Sequence, residues 1–182
     1  MTLLRGRLLV ATPQLADPNF ARTVVLLLDH GDDGAFGVVL NRASDTLVAD
    51  AIEPWAAVAS EPGVVFRGGP VGTDQAIGLG SSTDPVPSAG WAPLLGDLGS
   101  IDLGAGPTDR PLQQFRVFVG YAGWTVGQLE VEIEEGSWFV VDADLTRDVF
   151  GAQPGALWAD VLRRQPGRTA WFATAPEDPT TN

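Results

Sequence analysis

Asp29, His30, Asp74 and Glu130 are the side chains of this sequence with the best claim to proton-transfer chemistry. They stand out because so much else is missing. The 182-residue chain has no cysteine, one histidine, and 11 basic residues that are all arginine. Without cysteine there is no thiol nucleophile, disulfide framework, Fe–S cluster or thiolate zinc site. Without lysine there is no Schiff base, no lysine-anchored pyridoxal cofactor and no P-loop of the Gly-Lys-Ser/Thr type. A lone His30 cannot make a multi-histidine metal site, so neither a metal nor a cofactor is expected. A carboxylate enzyme would use Asp29, Asp74 or Glu130 as acid or base, with Asn41 or Arg42 orienting a small anionic substrate. Such chemistry needs acids in unequal environments, and no pair in the sequence displays that.

The remaining motifs are weaker as catalysts than as structure. Asp29-His30-Gly31-Asp32-Asp33-Gly34 has the composition of a calcium loop, but the third position is Gly31 and the twelfth is Leu40, so it reads as a hairpin turn. Gly78-Leu79-Gly80-Ser81-Ser82 lacks the Gly-x-Ser-x-Gly elbow and a following helix, which disfavours a serine triad with His30. His30 reads as a hydrogen-bonded structural residue.

Glycine-rich backbone is the stronger signal. Gly68-Gly69-Pro70 after a strand is either a nest of amides facing an anion or a tight turn. Gly120-Tyr121-Ala122-Gly123-Trp124 is either a close-packing segment or a pocket floor walled by Tyr121 and Trp124. The candidate ligand-binding set is therefore Asn41, Arg42, Gly68, Gly69, Pro70, Gly120, Tyr121, Gly123, Trp124 and Gln128. Arg22 and Arg67 are read as buried partners for acids.

The elements that must position these residues follow from the pattern of the chain. Residues 8–12 read as a strand stopped by Pro13. Residues 23–28 form a continuous apolar run, that of a strand covered on both faces, and with residues 35–40 make a hairpin. Ser44, Asp45 or Thr46 caps a helix from about Leu47, interrupted by Pro54 and closed by Gly63. Residues 64–66 form a strand whose partner is 76–79, and short strands are expected at 91–95 and 100–103 beside a mobile loop within 81–113. Residues 115–121 form a strand that leads into a helix started by a Thr125/Gln128 capping box. Val126, Leu129 and Ile133 face inward from it, and Glu130, Glu132, Glu134 and Glu135 face solvent. A strand at 138–141, a helix capped by Asp144 and a helix at 156–162 complete the fold. This is an α+β chain: a single domain over 1–172, a mixed sheet with surrounding helices, and a disordered tail over 173–182.

Composition bounds the partners. The formal charge is −12, and 22 glycines with 14 prolines make up about a fifth of the chain, consistent with many turns but below the level of disorder. A field this negative repels phosphate backbones, so direct nucleic-acid binding is disfavoured. Arg163, Arg164 and Arg168 fit the end of a helix, where cations complement its dipole. No segment has the length of a signal peptide or membrane span, and a cytoplasmic location is expected.

Four blocks carry a family resemblance: Asp17-Pro18-Asn19-Phe20-Ala21-Arg22-Thr23-Val24-Val25; Asp29-His30 through Gly37-Val38-Val39-Leu40-Asn41-Arg42; Gly68-Gly69-Pro70-Val71; and Gly120-Tyr121-Ala122-Gly123-Trp124 with Gly127-Gln128-Leu129-Glu130. Together they resemble the YqgE/AlgH family of small bacterial proteins over most of residues 7–165. The resemblance implies a large, mostly antiparallel and partly barrel-like mixed sheet, no established activity, and a transcriptional-regulator label without a mechanism. The sequence departs from the family pattern at residues 104–111, where a helix is expected to be short or missing. These readings converge on a non-catalytic binding or regulatory protein that engages a small anionic metabolite or a protein partner.

Overall fold

The computed structural model describes residues 3–84, 86–107 and 111–176. Ten strands form one sheet in the order β10-β1-β2-β3-β9-β6-β8-β7, with β4 and β5 branching from β9. The strands are β1 (Arg7–Ala11), β2 (Val24–Gly31), β3 (Gly34–Val39), β4 (Ala43–Leu47), β5 (Val64–Arg67), β6 (Val71–Ser81), β7 (Trp91–Leu95), β8 (Leu98–Ile101), β9 (Gln114–Trp124) and β10 (Trp138–Asp142). The sheet curls into a half-barrel, and β5 with β9 is the parallel pair among otherwise antiparallel ones.

The apolar run at residues 24–28 divides by parity. Val24, Leu26 and Leu28 pack with Leu8, Val10, Val38, Phe66 and Phe118 on one face. Val25 and Leu27 pack with Leu9, Ala11, Val39 and Trp124 on the other. Both faces are covered, which is why alternation is absent from the sequence. Helices α3 (Leu145–Phe150) and α4 (Leu157–Arg163) close the first face with Val149, Phe150, Leu157, Trp158, Val161 and Leu162. Helix α2 (Gln128–Glu134) closes the second through Leu129. A third cluster, with Trp55 stacked on Phe115 at 4.6 Å, lies under the short helix α1 (Val48–Ala51) and a 3-10 segment (Glu53–Val58).

Several expectations require correction. Residues 44–47 are strand rather than the start of a helix: Ser44 donates its hydroxyl to Val65 O at 2.6 Å, across the β4–β5 pair, and α1 has no side-chain cap. Strand β6 is not the partner of β5; both pair with β9, which carries them on opposite edges. The segment Gly120-Tyr121-Ala122-Gly123-Trp124 continues strand β9 instead of leaving it, because Gly123 and Trp124 pair with Phe36 and Ala35 of β3. Val126 is 69% exposed and precedes α2, which begins after Gly127. Glu130 and Glu132 are half-buried and hydrogen-bonded rather than solvated.

Asp144 caps α3 as expected, by accepting Arg147 N–H at 3.1 Å. The Thr125/Gln128 capping box is not formed: Gln128 Oε1 accepts Thr125 N–H at 3.1 Å, but the Thr125 hydroxyl turns to that same oxygen and Gly127 is the N-cap, with no side-chain cap. The expected boundary between domain and tail at residue 172 is not matched: a 3-10 helix spans Gly167–Thr174 and Ala173 is buried. Leu103–Ala105 forms a single 3-10 turn where the family helix was expected to be short. Residues 108–110 of that stretch, residue 85 of the expected mobile loop, and 177–182 of the expected tail lie outside the described residues.

Candidate functional site: a glycine junction between two clefts

The two glycine clusters meet. Gly68 N donates to Val119 O and Val39 N donates to Gly68 O, both at 2.8 Å, so this segment sits between β3 and β9. A Cβ on Gly68 would lie 2.3 Å from Gly120 O, and one on Gly69 2.1 Å from the carbonyl carbon of Tyr121. Gly69 and Gly120 also have φ of 154° and 73°, a conformation side chains resist. The junction is backbone against backbone, made possible by the missing side chains.

The structure does not join all the other candidates to it. Tyr121 packs edge-on against Phe36 at 5.1 Å in the first core cluster, whereas Trp124 belongs to the second, 5.9 Å from Trp138. They lie on opposite faces of β9 and do not wall one pocket. Asn41 bonds the start of β2, accepting Val24 N–H and donating to Arg22 O, both at 2.9 Å. Arg42 donates to Pro18 O and Ala21 O, at 3.2 and 2.9 Å. Pro70 lies between β5 and β6, and Gln128 donates to Glu132 Oε1 at 2.9 Å.

The proton-transfer candidates are dispersed. His30 is buried; its Nδ1 accepts Leu4 N–H at 3.0 Å and its Nε2 is 2.8 Å from Glu130 Oε1. Both ring nitrogens are therefore occupied, and neither serves Ser81 or Ser82. Glu130 is held below the usual carboxylate range by its backbone hydrogen bond first and by His30 second. Asp29 lines a separate cleft with Arg5, Phe36 and Leu94, while Asp74 is exposed on β6. Neither Arg22 nor Arg67 pairs with an acid among the described residues: Arg22 stacks over Trp158 at 4.0 Å and donates to Ala175 O at 3.0 Å, and Arg67 is exposed.

Two clefts flank β9 near the junction. The first, about 410 Å³, has Val65, Val117, Val119 and Ala76 among its lining, with Ile52 of the α1 cap beside them. Its polar groups are Ser44, Thr46 and Arg67. Arg67, Val119 and Ala76 stand side by side across β5, β9 and β6. Arg67 and Val119 immediately precede Gly68 and Gly120, but neither glycine, nor any other residue of the candidate ligand-binding set, is on the lining of this cleft.

The second cleft, about 240 Å³, is lined by Leu40, Arg116, Arg147, Asp148 and Gln153, among others. Arg116 is 2% exposed and went unmarked in the sequence reading. Its guanidinium donates to Val149 O at 2.7 Å, Gly151 O at 3.1 Å and Glu61 O, and lies 4.2 Å over the Phe66 ring. Burial pulls its pKa down to about 10. The one signal available was a single charge inside the apolar run Phe115-Arg116-Val117-Phe118-Val119. Glu132 was also missed: its Oε2 accepts the indole N–H groups of Trp124 at 2.9 Å and Trp138 at 2.8 Å.

No helix of the described residues is long and apolar enough to cross a membrane. A family model described as AlgH-like matches residues 8–170. A UPF0301 protein of Streptomyces avermitilis is 52% identical over 98% of this chain and 95% of its own length. One from Streptomyces coelicolor is 51% identical over the same shares. The crystal structure of a Corynebacterium diphtheriae protein superposes with a TM-score of 0.85 at 36% identity, covering 93% of this chain and 91% of that one. The solution structure of the AlgH protein from Pseudomonas aeruginosa gives 0.69 at 30% identity, covering 96% and 95%. The chain belongs to the AlgH-like family of UPF0301 proteins.

Proposed function

We propose that this chain is a non-catalytic cytoplasmic binding protein with a regulatory role, whose ligand is a small amphipathic anion held in the Arg67 cleft. The observation that carries the reading is an apolar, sheet-floored cleft of about 410 Å³ with Arg67, which pairs with no acid among the described residues, on its lining. That volume is within the range of small-molecule sites, which are mostly apolar with a few polar groups fixing orientation. Arg67 supplies a fork for a carboxylate head group, Ser44 and Thr46 flank it, and the valines accept a hydrocarbon body. The dispersal of Asp29, Asp74 and Glu130 favours binding over carboxylate catalysis, and the net charge of −12 favours a small anion or protein over nucleic acid.

Thermal denaturation with medium-chain carboxylates tests this. A ligand at 100 times its Kd stabilises by about 2.7 kcal/mol, an easily measured rise in Tm. Arg67→Gln should abolish the response without lowering the ligand-free Tm. A chain unmoved by carboxylates from four to twelve carbons, or a variant that responds like the parent, refutes the assignment.

A further inference from the structure

The second cleft lies on the opposite face of β9 from the first, because Arg116 and Val117 alternate across the strand. Arg116 carries a buried charge that forms no salt bridge among the described residues, although Asp148 and Asp160 line the same cleft. Three carbonyls satisfy part of the guanidinium, but its Nε has no partner among the described residues. A buried cation is costly unless an anion balances it. These acids are paired elsewhere: Asp148 Oδ2 accepts from Arg164 at 2.9 Å and its Oδ1, which makes no hydrogen bond, lies 2.9 Å from the same guanidinium, while Asp160 lies 2.7 Å from Arg163. Arg147, on α3, lines the same cleft, and its side chain has no acid partner among the described residues. The two acids on the lining are balanced by Arg163 and Arg164 from outside it, which leaves Arg116 and Arg147 without an ion-pair partner among the described residues, in a protein whose net charge is −12.

We infer that this cleft is a second binding site, built for a phosphate dianion, either free or as the terminus of a phosphomonoester, with Arg116 and Arg147 as its cationic pair. Two guanidinium groups match the charge of the dianion: Arg147 offers forked donors to a tetrahedral oxyanion, while Arg116, whose Nη2 hydrogens are taken by Glu61 O and Gly151 O, contributes mainly its charge. Gln153 adds an amide on the rim. The volume of about 240 Å³ leaves room for a short carbon chain beyond the phosphate. This inference is independent of the Arg67 cleft.

The test uses the full chain at constant ionic strength, titrated with inorganic phosphate, glycerol phosphate and succinate. Binding is read by Tm and by the Nε–Hε resonance of Arg116. Phosphate should raise Tm saturably and shift that resonance. Arg147→Gln, a surface change, should leave the ligand-free Tm unaltered and weaken phosphate binding about tenfold or more, the effect of losing one charge-assisted hydrogen bond. Arg67→Gln should bind phosphate like the parent, which separates this site from the carboxylate cleft. An unsaturable response, an Arg147→Gln variant with parental affinity, loss of binding in Arg67→Gln, or equal binding of succinate overturns the assignment. Stronger binding of glycerol phosphate than of phosphate identifies a phosphomonoester, and the reverse identifies the free ion.

Discussion

His30 and Glu130, a hundred residues apart, form a contact of 2.8 Å in which the imidazole is buried and the carboxylate is about one-third open. Leu4 N–H donates to Nδ1 at 3.0 Å, so the ring proton resides on Nε2 and is donated to Glu130. The pair ties the N-terminal segment, β2 and α2 together. Because the folded pKa of Glu130 is depressed, its stabilising effect is present above the ordinary glutamate value of 4.5 and is lost as pH falls through the lower folded value. Glu130→Gln should lower stability at neutral pH by less than about 1 kcal/mol, since an open carboxylate is screened. The difference from the parent should vanish in acid, as measured by urea unfolding at several pH values.

The glycine junction makes a sharper prediction. Gly69→Ala or Gly120→Ala forces a Cβ to within 2.1 or 2.4 Å of opposing backbone that has no side chain to move aside. Each should cost about 3–5 kcal/mol from overpacking and backbone strain combined. Gly136→Ala is the control: its φ is also positive, at 80°, but a Cβ there meets nothing within 4 Å. It should cost only about 1–2 kcal/mol. Equal losses at the two kinds of site would contradict the close approach.

Glu132 links two tryptophans of different elements through one oxygen. Glu132→Gln can still accept both indoles through its carbonyl, but its amide then faces the Gln128 amide, donor against donor. The variant should lose about 1–2 kcal/mol and change the tryptophan emission of the folded state. Unchanged fluorescence and stability would show that the carboxylate is not needed there.

Trp55 anchors the cap above the first cleft by stacking on Phe115 and donating its indole N–H to Leu103 O at 3.0 Å. Trp55→Ala should cost about 3–5 kcal/mol and reduce carboxylate binding. Trp55→Phe keeps the stack and loses the hydrogen bond, for a cost near 1 kcal/mol. Denaturation midpoints of the two variants distinguish packing from the polar contact.

The strands β2 and β3 were legible because long apolar runs flank a turn-forming Gly31-Asp32-Asp33-Gly34, a local signal. The 44–47 segment was not, since Ser, Asp and Thr suit a helix cap as well as a strand, and only the pairing with β5 decides. The glycines announced a close approach but not that it lies within a continuous strand. Glu132 was invisible as a half-buried acceptor because its partners sit in β9 and β10, and the acidic run around it resembles a solvated face. Arg116 shows the same limit: what its neighbours leave unpaired becomes clear only when the carbonyls of residues 61, 149 and 151 are in place.

Strand β1 is flanked by β2 and by β10, with Arg7 opposite Asp142. During synthesis, then, one edge of β1 must wait for the chain through β10 to emerge before it finds its mate. Until that moment it offers unsatisfied amides and carbonyls to any neighbouring polypeptide. Truncated nascent chains that stop short of β10 should accordingly be the species that chaperones retain and that clump when expressed alone.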